Sequence, residues 1–217
     1  MTGAEEPADS PPIRAVYDRI GTHFSKTRRY PWPAVESFLE GRGGRLGIDV
    51  GCGNGRHLRP LREVLERAIG VDLSRTLLRE ARDGLSGLNR VDLLEGTATA
   101  IPIGDDRVDV GLYVAAIHHL RTREGRIESL DELARVLDPA GIALLSAWSI
   151  THDRFDREEG FDTTVDWTLP DGQTVPRFYH IYDLEEFRAD LDASRLAPEA
   201  VWTEAGNCYA RVRPGRR

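Results

Sequence analysis

Short segments that are almost wholly apolar recur along the chain, at residues 45–50, 68–73, 91–96, 108–114 and 142–148. Longer amphipathic segments separate them; in residues 55–67, for example, Leu58, Leu61 and Leu65 share one helical face. Strands that are apolar throughout are buried on both faces, and parallel strands need long crossovers, which helices usually provide. The alternation therefore predicts an α/β fold with a mostly parallel sheet and helices on both faces.

The segments outside this alternation extend the predicted fold at both ends. Apolar residues at three- and four-residue spacing from Ile13 to Phe24 predict an amphipathic helix, and Val35, Phe38 and Leu39 predict a second, short one. Near the carboxyl end, a predicted helix over residues 184–191 precedes strands at residues 199–203 and 208–212. The short linker between those strands favours an antiparallel hairpin, which would complete a seven-stranded sheet.

The length of 217 residues fits one domain, which we expect to cover residues 13–217. Residues 1–12 are acidic and rich in proline, so they predict a disordered tail and not a targeting peptide. Residues 149–175 interrupt the alternation with acidic and aromatic side chains. A long insertion beside the strand ends predicts a lid or a platform for substrate.

Charge and cysteine content narrow the classes of partner and compartment. The formal net charge is −7, and Lys26 is the only lysine, so no global positive field attracts nucleic acid and any RNA contact depends on local arginine geometry. Two cysteines and six scattered histidines support neither a disulfide framework nor a metal cluster. No apolar run is long enough to cross a membrane. We expect a cytoplasmic protein without a metal.

The most specific local motif is Asp-Val-Gly-Cys-Gly-Asn-Gly at residues 49–55, directly after the first apolar segment. Glycines at Gly51, Gly53 and Gly55 let the backbone turn sharply and approach a ligand closely. The spacing differs from the dinucleotide motif G-x-G-x-x-G. Asp49 before the loop suits a cationic amine, and Asp72 at the next strand end can accept both hydroxyls of a ribose. The alternative interpretation of this glycine-rich segment is an ordinary tight turn without a ligand.

This pair of motifs resembles the S-adenosylmethionine site of the class I methyltransferases, whose fold is a Rossmann-like, mostly parallel seven-stranded sheet. The resemblance implies that the glycine loop holds the methionine end of the cofactor and that Asp72 holds its ribose. In that family an acid after the third strand often contacts adenine; here Thr97 takes that position. By the same analogy the expected cofactor contacts are Asp49, Gly51, Gly53, Gly55, Asp72, Leu73, Thr97, Ala98, Val114 and Ala115.

Several longer stretches match a narrower family. Residues 16–39, the glycine loop, residues 115–127 and residues 177–187 resemble the tRNA methyltransferases that esterify 5-carboxymethyluridine at the wobble position. Shared elements are HFS-x-TR-x-x-PWP before the loop and Tyr-His-x-Tyr late in the chain. The insertion between Trp167 and Arg177 is shorter than in the eukaryotic members. The resemblance implies a tRNA substrate and a heterodimer with a small zinc-binding activator subunit.

Methylation of a carboxylate needs no general base, because the acceptor is already ionised near neutral pH. It needs alignment, exclusion of water and a cation that places the acid. Arg28 and Arg177 lie in the matched motifs and can donate forked hydrogen bonds to a carboxylate or phosphate. The alternative for either arginine is a solvated surface charge.

The remaining candidates for the acceptor site are histidine, tyrosine and tryptophan side chains, several of them near the predicted strand ends. They are His118 and His119 after the fourth strand, of which we favour His119, and Tyr179 and His180, with Trp32, Trp148 and Trp167 as possible platforms for a base. Each could instead pack structurally, and Tyr182 and Cys52 are interpreted as packing residues. Two other functions stay open: methylation of a small molecule, and cofactor binding without catalysis.

Overall fold

The computed structural model describes residues 11–215, so most of the predicted N-terminal tail lies outside the described residues. The helices are α1 (Ile13–Lys26), α2 (Pro33–Leu39), α3 (Leu58–Val64), α4 (Arg75–Gly84), α5 (Arg123–Val136) and α6 (Leu184–Ala193). The strands are β1 (Gly44–Val50), β2 (Leu65–Asp72), β3 (Val91–Glu95), β4 (Val108–Val114), β5 (Leu137–Trp148), β6 (Phe161–Thr168), β7 (Thr174–Ile181), β8 (Leu196–Glu204) and β9 (Asn207–Pro214). A short 3₁₀ helix, Ile117–His119, follows β4.

Seven of these strands form one sheet in the order β3-β2-β1-β4-β5-β9-β8. Strands β1 to β5 pair in parallel, and β9 runs antiparallel to both β5 and β8. The predicted mostly parallel sheet with a C-terminal antiparallel hairpin is therefore confirmed. The strand order reverses between β1 and β4, and the crevice beyond the carboxyl ends of strands at such a point is the usual ligand site of open α/β sheets.

Apolar side chains cover both faces of the sheet. Along β1, Ile48 and Val50 pack in one apolar layer, while the other layer contains Leu58 and Leu61 of α3 together with Leu112 of β4. This two-sided burial is the reason that the strands are apolar along their whole length. Tyr182 is fully buried, which confirms its interpretation as a core residue.

Two parts of the structure differ from the sequence-based expectations. The predicted helix over residues 55–67 is too long: α3 ends at Val64, and Leu65 opposite Gly44 already begins the parallel pairing of β2 with β1. Leu65 therefore belongs to the sheet, although its spacing from Leu58 and Leu61 matches a helix. Within residues 149–175 the sequence did not predict β6, which pairs antiparallel with β7 in a separate two-stranded sheet.

The signal for β6 is a period of two that the acidic composition obscured. Phe161, Val165 and Trp167 are more buried than the residues that alternate with them, among which Asp162 and Asp166 are exposed. Alternation of this kind is typical of a strand with one covered face. Among the described residues, no helix combines the length and apolarity needed to cross a lipid bilayer.

Candidate active site

A cavity lies beyond the carboxyl ends of β1, β2, β3 and β4, at the point where the strand order reverses. The residues that line it include Tyr17, Arg28, Trp32, Gly51, Gly53, Asn54, Arg56, Asp72, Leu73, Thr97, Ala98, Val114, Ala115, His118, His119, Trp148, Arg177 and Tyr179. They come from the glycine loop, from the turns after the parallel strands, from α1 and from β7. The cavity thus joins the predicted cofactor residues to most of the predicted acceptor residues.

The glycine loop forms one wall of the cavity. Gly51, Gly53 and Gly55 all have positive φ, at 70°, 56° and 77°. A Cβ at Gly51 would stand 2.5 Å from the Cβ of Ala116, and one at Gly55 would stand 2.9 Å from Leu85. Gly53 differs, because a Cβ there would meet nothing within 4 Å. Gly55 therefore serves packing and does not line the cavity, whereas Gly53 presents its backbone to open space where a ligand can lie.

Asp72 lies at the end of β2, is 8% exposed and lines the cavity. Its Oδ2 accepts the backbone N–H of Gly53 at 2.8 Å, and its Oδ1 accepts that of Ser74 at 2.8 Å. Burial raises the pKa of this carboxyl, and the backbone donors partly offset the rise. Each carboxylate oxygen keeps a free lone pair, so Asp72 can still accept hydroxyl donors from a ribose.

Asp49 is almost completely buried and does not itself line the cavity. Its Oδ2 has no hydrogen-bond partner among the described residues, and the closest basic atom is Nδ1 of His57 at 3.9 Å. Burial raises the pKa of Asp49 to about 8 and lowers the pKa of His57 to about 3, so both groups favour their neutral forms at pH 7. A cation bound on the other side of the loop would stabilise the ionised form of this buried carboxyl.

The turns after β2, β3 and β4 provide the other predicted cofactor residues. Leu73, Thr97, Ala98, Val114 and Ala115 all line the cavity. The position at which an acid would contact an adenine amine is occupied by Thr97, whose hydroxyl lies 3.1 Å from that of Thr99. Ala115 has a positive φ of 54° that its N–H bond to the Ser146 carbonyl oxygen helps to hold.

S-adenosylmethionine fits the chemistry of this half of the cavity. The group is cationic at its amine and sulfonium, and the loop offers open space at Gly53 with the unpartnered Asp49 oxygen behind it. Its ribose hydroxyls need an acceptor, which Asp72 supplies. The apolar side chains of Leu73, Val114 and Ala98 suit an aromatic base.

The acceptor half of the cavity is built around Arg177 and Tyr179 of β7. Nη1 of Arg177 donates to the Tyr179 hydroxyl at 2.7 Å, and Nε donates to the carbonyl oxygen of Val165 at 3.3 Å. The guanidinium also lies 5.1 Å from the ring centroid of Trp167. Arg177 is only 5% exposed, yet no carboxylate of residues 11–215 forms a salt bridge with it. A buried cation without a counter-charge favours an anionic ligand.

Two further arginines line the same cavity, and neither has a salt bridge to a described carboxylate. Arg28 lies over the ring of Phe24, with 5.0 Å between the guanidinium carbon and the ring centroid. Arg56 lies in the same way over Trp32, at 5.2 Å. Burial and the nearby Arg28 lower the pKa of Arg56 to about 10, so it keeps its charge at pH 7. The sequence did not single out Arg56, although its position directly after Gly55 was an available signal.

His118 and His119 both line the cavity as neutral rings. Burial lowers the pKa of His119 to about 4 and that of His118 well below its usual value. Nδ1 of His119 lies 2.9 Å from the carbonyl oxygen of Phe178, so it carries the proton, and Nε2 accepts from the Tyr17 hydroxyl at 2.9 Å. His118 Nδ1 accepts the N–H of Trp148 at 3.1 Å, which leaves its Nε2 as the donor. Tyr17 was not among the predicted site residues, because it lies 102 positions before His119 in the sequence.

His180 is separated from the other predicted acceptor residues. It follows Tyr179 in β7, and side chains of neighbouring strand residues point to opposite faces. Its ring lies between Oδ1 of Asp162 at 2.7 Å and Oε1 of Glu186 at 2.9 Å, and it does not line the cavity. The alternation of the strand turns His180 towards α6, so the structure does not bring it to the cavity with the other predicted acceptor residues.

The aromatic candidates divide in a similar way. Trp148 and Trp32 line the cavity, and the Trp148 ring stacks on that of Tyr179 with 4.8 Å between centroids. Trp167 instead packs beneath Arg177, and its indole N–H donates to His23.

Cys52 is buried and its pKa is raised well above the usual value, so it is no thiolate nucleophile. Residues 11–215 contain no cluster of side chains that could hold a metal ion.

A seven-stranded sheet of this order, with a glycine loop after β1 and a carboxylate at the end of β2, defines the class I methyltransferases that use S-adenosylmethionine. Residues 48–145 match the family model described as a methyltransferase domain. The chain is 36% identical over 171 residues to the tRNA (carboxymethyluridine(34)-5-O)-methyltransferase of Saccharomyces cerevisiae, with 76% of this chain covered. It is 34% identical over 162 residues to the Schizosaccharomyces pombe protein of that name, with 72% of this chain covered. The chain belongs to the family of these tRNA (carboxymethyluridine(34)-5-O)-methyltransferases.

The extent of the match differs between relatives. The chain spans 59% of the length of the Saccharomyces protein and 68% of that of the Schizosaccharomyces protein. Solved structures confirm the fold: the DhpI complex with S-adenosylhomocysteine has a TM-score of 0.72 at 19% identity and covers 94% of this chain and 96% of that one. A Haloferax volcanii methyltransferase complex with the Trm112 activator also has a TM-score of 0.72, at 16% identity, and covers 94% of this chain and 98% of that chain.

Proposed function

We propose that this chain transfers a methyl group from S-adenosylmethionine to the carboxylate of 5-carboxymethyluridine at the wobble position of tRNA, forming the methyl ester. The observation that carries the proposal is Arg177, a buried guanidinium that lines the cavity without a carboxylate partner among residues 11–215. A carboxylate acceptor would supply the missing negative charge. Two relatives that share this family are named for that reaction.

S-adenosylmethionine supplies a methyl carbon bound to a positively charged sulfur. The residues that would hold it are Asp72 at the ribose, the Gly51–Gly53 backbone at the methionine end and Leu73 at the base. Asp49 behind the loop adds negative charge when it ionises. These groups bind and orient the donor, and they leave the acceptor to the opposite side of the cavity.

The acceptor side needs to place a carboxylate oxygen and keep water out. Nη1 of Arg177 donates to the Tyr179 hydroxyl and Nε donates to the carbonyl oxygen of Val165, which fixes the orientation of the guanidinium before an acceptor enters. The stacked rings of Trp148 and Tyr179 provide an apolar wall. His119 uses both ring nitrogens in hydrogen bonds to Tyr17 and Phe178, so it serves as a positioning residue and not as a base. No base is needed, because the acceptor is already ionised.

The proposal is tested with the purified chain, its activator subunit, labelled S-adenosylmethionine and tRNA that carries 5-carboxymethyluridine. We expect label in the tRNA that mild base releases as methanol. Absence of that label, with the cofactor bound, contradicts the substrate assignment. Label in a small carboxylic acid instead of tRNA would favour the small-molecule alternative, and cofactor binding without transfer to either acceptor would favour a binding module.

We also propose a heterodimer with a small zinc-binding activator in the cytoplasm. A similar fold is solved in complex with the Trm112 activator. In this chain β3 is an edge strand, and Val91, Leu93 and Leu94 are each only partly buried. Both cysteines are free and buried, which suits a reducing compartment. Co-expression with the activator should give one peak in size-exclusion chromatography, and separate elution of the two chains would contradict the heterodimer.

A further inference from the structure

An exposed aromatic ring stands beside the cavity, in the loop between α1 and α2. Tyr30 is 79% exposed, and it is the one large hydrophobic residue of the described chain with such exposure. The following residue, Pro31, restricts the backbone of Tyr30 to extended conformations. An exposed tyrosine on a restricted backbone presents a flat face to solvent at little cost in entropy.

The loop that carries Tyr30 is tied to the glycine loop. The side-chain amide of Asn54 donates to the carbonyl oxygen of Arg28 at 2.8 Å and to that of Ser25 at 3.3 Å. Asn54 lies between Gly53 and Gly55, so any ligand held by the glycine loop has a fixed relation to the start of the Tyr30 loop. Tyr30 is therefore positioned relative to the reaction centre.

A surface groove runs from the cavity to Tyr30. Arg28, Asn54 and Arg56 line both the cavity and this groove. The basic residues that line the groove are Lys26, Arg28, Arg29, Arg56 and Arg59. None of these five forms a salt bridge within the described chain, although Glu36, Glu63, Glu80 and Asp83 also line the groove. The groove therefore offers unpaired cations next to a stacking surface, in a chain whose net charge is −7.

We infer that this groove binds the single-stranded RNA that flanks the modified base, with Tyr30 stacking on a neighbouring base and Arg29 and Arg59 contacting its phosphates. The inference rests on the proposed function and specifies the tRNA surface for it. Single-stranded RNA is recognised by aromatic stacking together with a cationic groove along the backbone, and both features are present here. An acidic protein segment would use the cations but would have no need for the exposed ring.

The test uses the full chain and an anticodon stem-loop RNA with 5-carboxymethyluridine at the wobble position. Tyr30→Ala should weaken RNA binding by about 5- to 100-fold, and Tyr30→Phe should restore it, because stacking needs the ring and not the hydroxyl. Arg29→Gln with Arg59→Gln should lower the slope of log affinity against log salt by about 1.4, or about 0.7 for each lost phosphate contact. Arg45→Gln with Arg107→Gln removes the same charge from the exposed surface of a different groove and should leave the slope unchanged.

The outcomes separate this inference from the proposed function. If the wild-type chain forms the ester but the Tyr30 and Arg29/Arg59 variants bind the RNA as wild type does, the groove assignment is overturned and the reaction stands. If the wild-type chain binds S-adenosylmethionine but forms no ester, the proposed function fails. Displacement of the RNA by poly-glutamate as effectively as by oligo-uridylate would also overturn the inference. Cofactor affinity serves as the check that every variant is folded.

Discussion

Arg177 donates from Nη1 to the hydroxyl of Tyr179 at 2.7 Å, two residues further along β7 on the same face of the strand. The pair lines the cavity, and Arg177 is almost fully buried without a carboxylate partner among residues 11–215. This hydrogen bond, together with the one from Nε to the carbonyl oxygen of Val165, fixes the orientation of the guanidinium and leaves Nη2 to donate to an anion. This relationship connects the geometry of the hairpin to the choice of a carboxylate as acceptor.

The first prediction concerns Arg177→Gln. We expect ester formation to fall by about 100-fold or more, because a charge-assisted contact worth roughly 3 kcal/mol is lost from the aligned acceptor. Affinity for S-adenosylmethionine, measured by calorimetry, should stay within about twofold of wild type. Arg107→Gln, an exposed arginine outside this cavity, is the matched control. Equal losses in cofactor binding and ester formation would contradict a role confined to the acceptor.

The second prediction concerns Asp72→Asn. The carboxylate accepts the N–H groups of Gly53 and Ser74 and is the expected acceptor for ribose hydroxyls. Hydrogen bonds to a charged acceptor contribute about 1.5–3 kcal/mol, so cofactor affinity should fall by roughly 10- to 100-fold. Binding of S-adenosylhomocysteine should weaken as much, since it has the same ribose. An unchanged dissociation constant for both ligands would remove Asp72 from the site.

The third prediction uses two glycines as a matched pair. Gly53 and Gly87 both have positive φ, at 56° and 83°, and a Cβ at either would meet no atom within 4 Å. Alanine should therefore cost each site about 1 kcal/mol of stability through backbone strain. Only Gly53 lines the cavity, so only Gly53→Ala should weaken cofactor binding. Equal cofactor affinities in the two variants would contradict the placement of the donor against the loop.

The fourth prediction concerns the pH dependence of stability. Burial lowers the pKa of His119 to about 4 and of His57 to about 3, whereas unfolded histidine titrates near pH 6.5. Below about pH 6.5 the unfolded chain binds more protons, so the free energy of unfolding falls as the pH drops. Asp49 acts in the opposite sense: its pKa of about 8 means that the native state loses stability as the pH rises from about 4 to 8.

Together these groups predict greatest stability near pH 6.5, which urea unfolding between pH 5 and 8.5 can measure. Below pH 6.5 the histidines outweigh Asp49, because His118 is shifted in the same direction as the other two. Asp49→Asn should flatten the alkaline side of the profile and leave the acidic side, where the histidines dominate. A profile that rises steadily from pH 6.5 to 8, in wild type and variant alike, would contradict the assignment of Asp49.

The fold and the donor half of the site could be predicted because their signals are local. Unbroken apolar strands required a sheet covered on both faces, and the glycines of residues 51–55 mark a backbone turn that side chains at Gly51 and Gly55 would block. Asp72 followed from its position at a strand end. In each case neighbouring residues in the sequence carry the information.

The acceptor half was harder to predict because its members meet only in three dimensions. Tyr17 bonds to His119 across 102 positions of sequence, and Arg56 joins Arg28 and Arg177 only after α1 and β7 close over the loop. The position of His180 was also hard to predict, because β7 was not among the predicted strands. Its neighbour Tyr179 faces the cavity, and in a strand two adjacent side chains do not face the same side.

The most direct test of the account is nucleoside mass spectrometry of wobble uridine after reaction of the purified chain, activator and S-adenosylmethionine with tRNA that carries 5-carboxymethyluridine. We expect wild type to convert the carboxylic acid to its methyl ester, and Arg177→Gln to bind the cofactor but to convert the acid at least about 100-fold more slowly. An unmodified acid with the wild-type chain, under conditions where the cofactor is bound, would contradict the central claim.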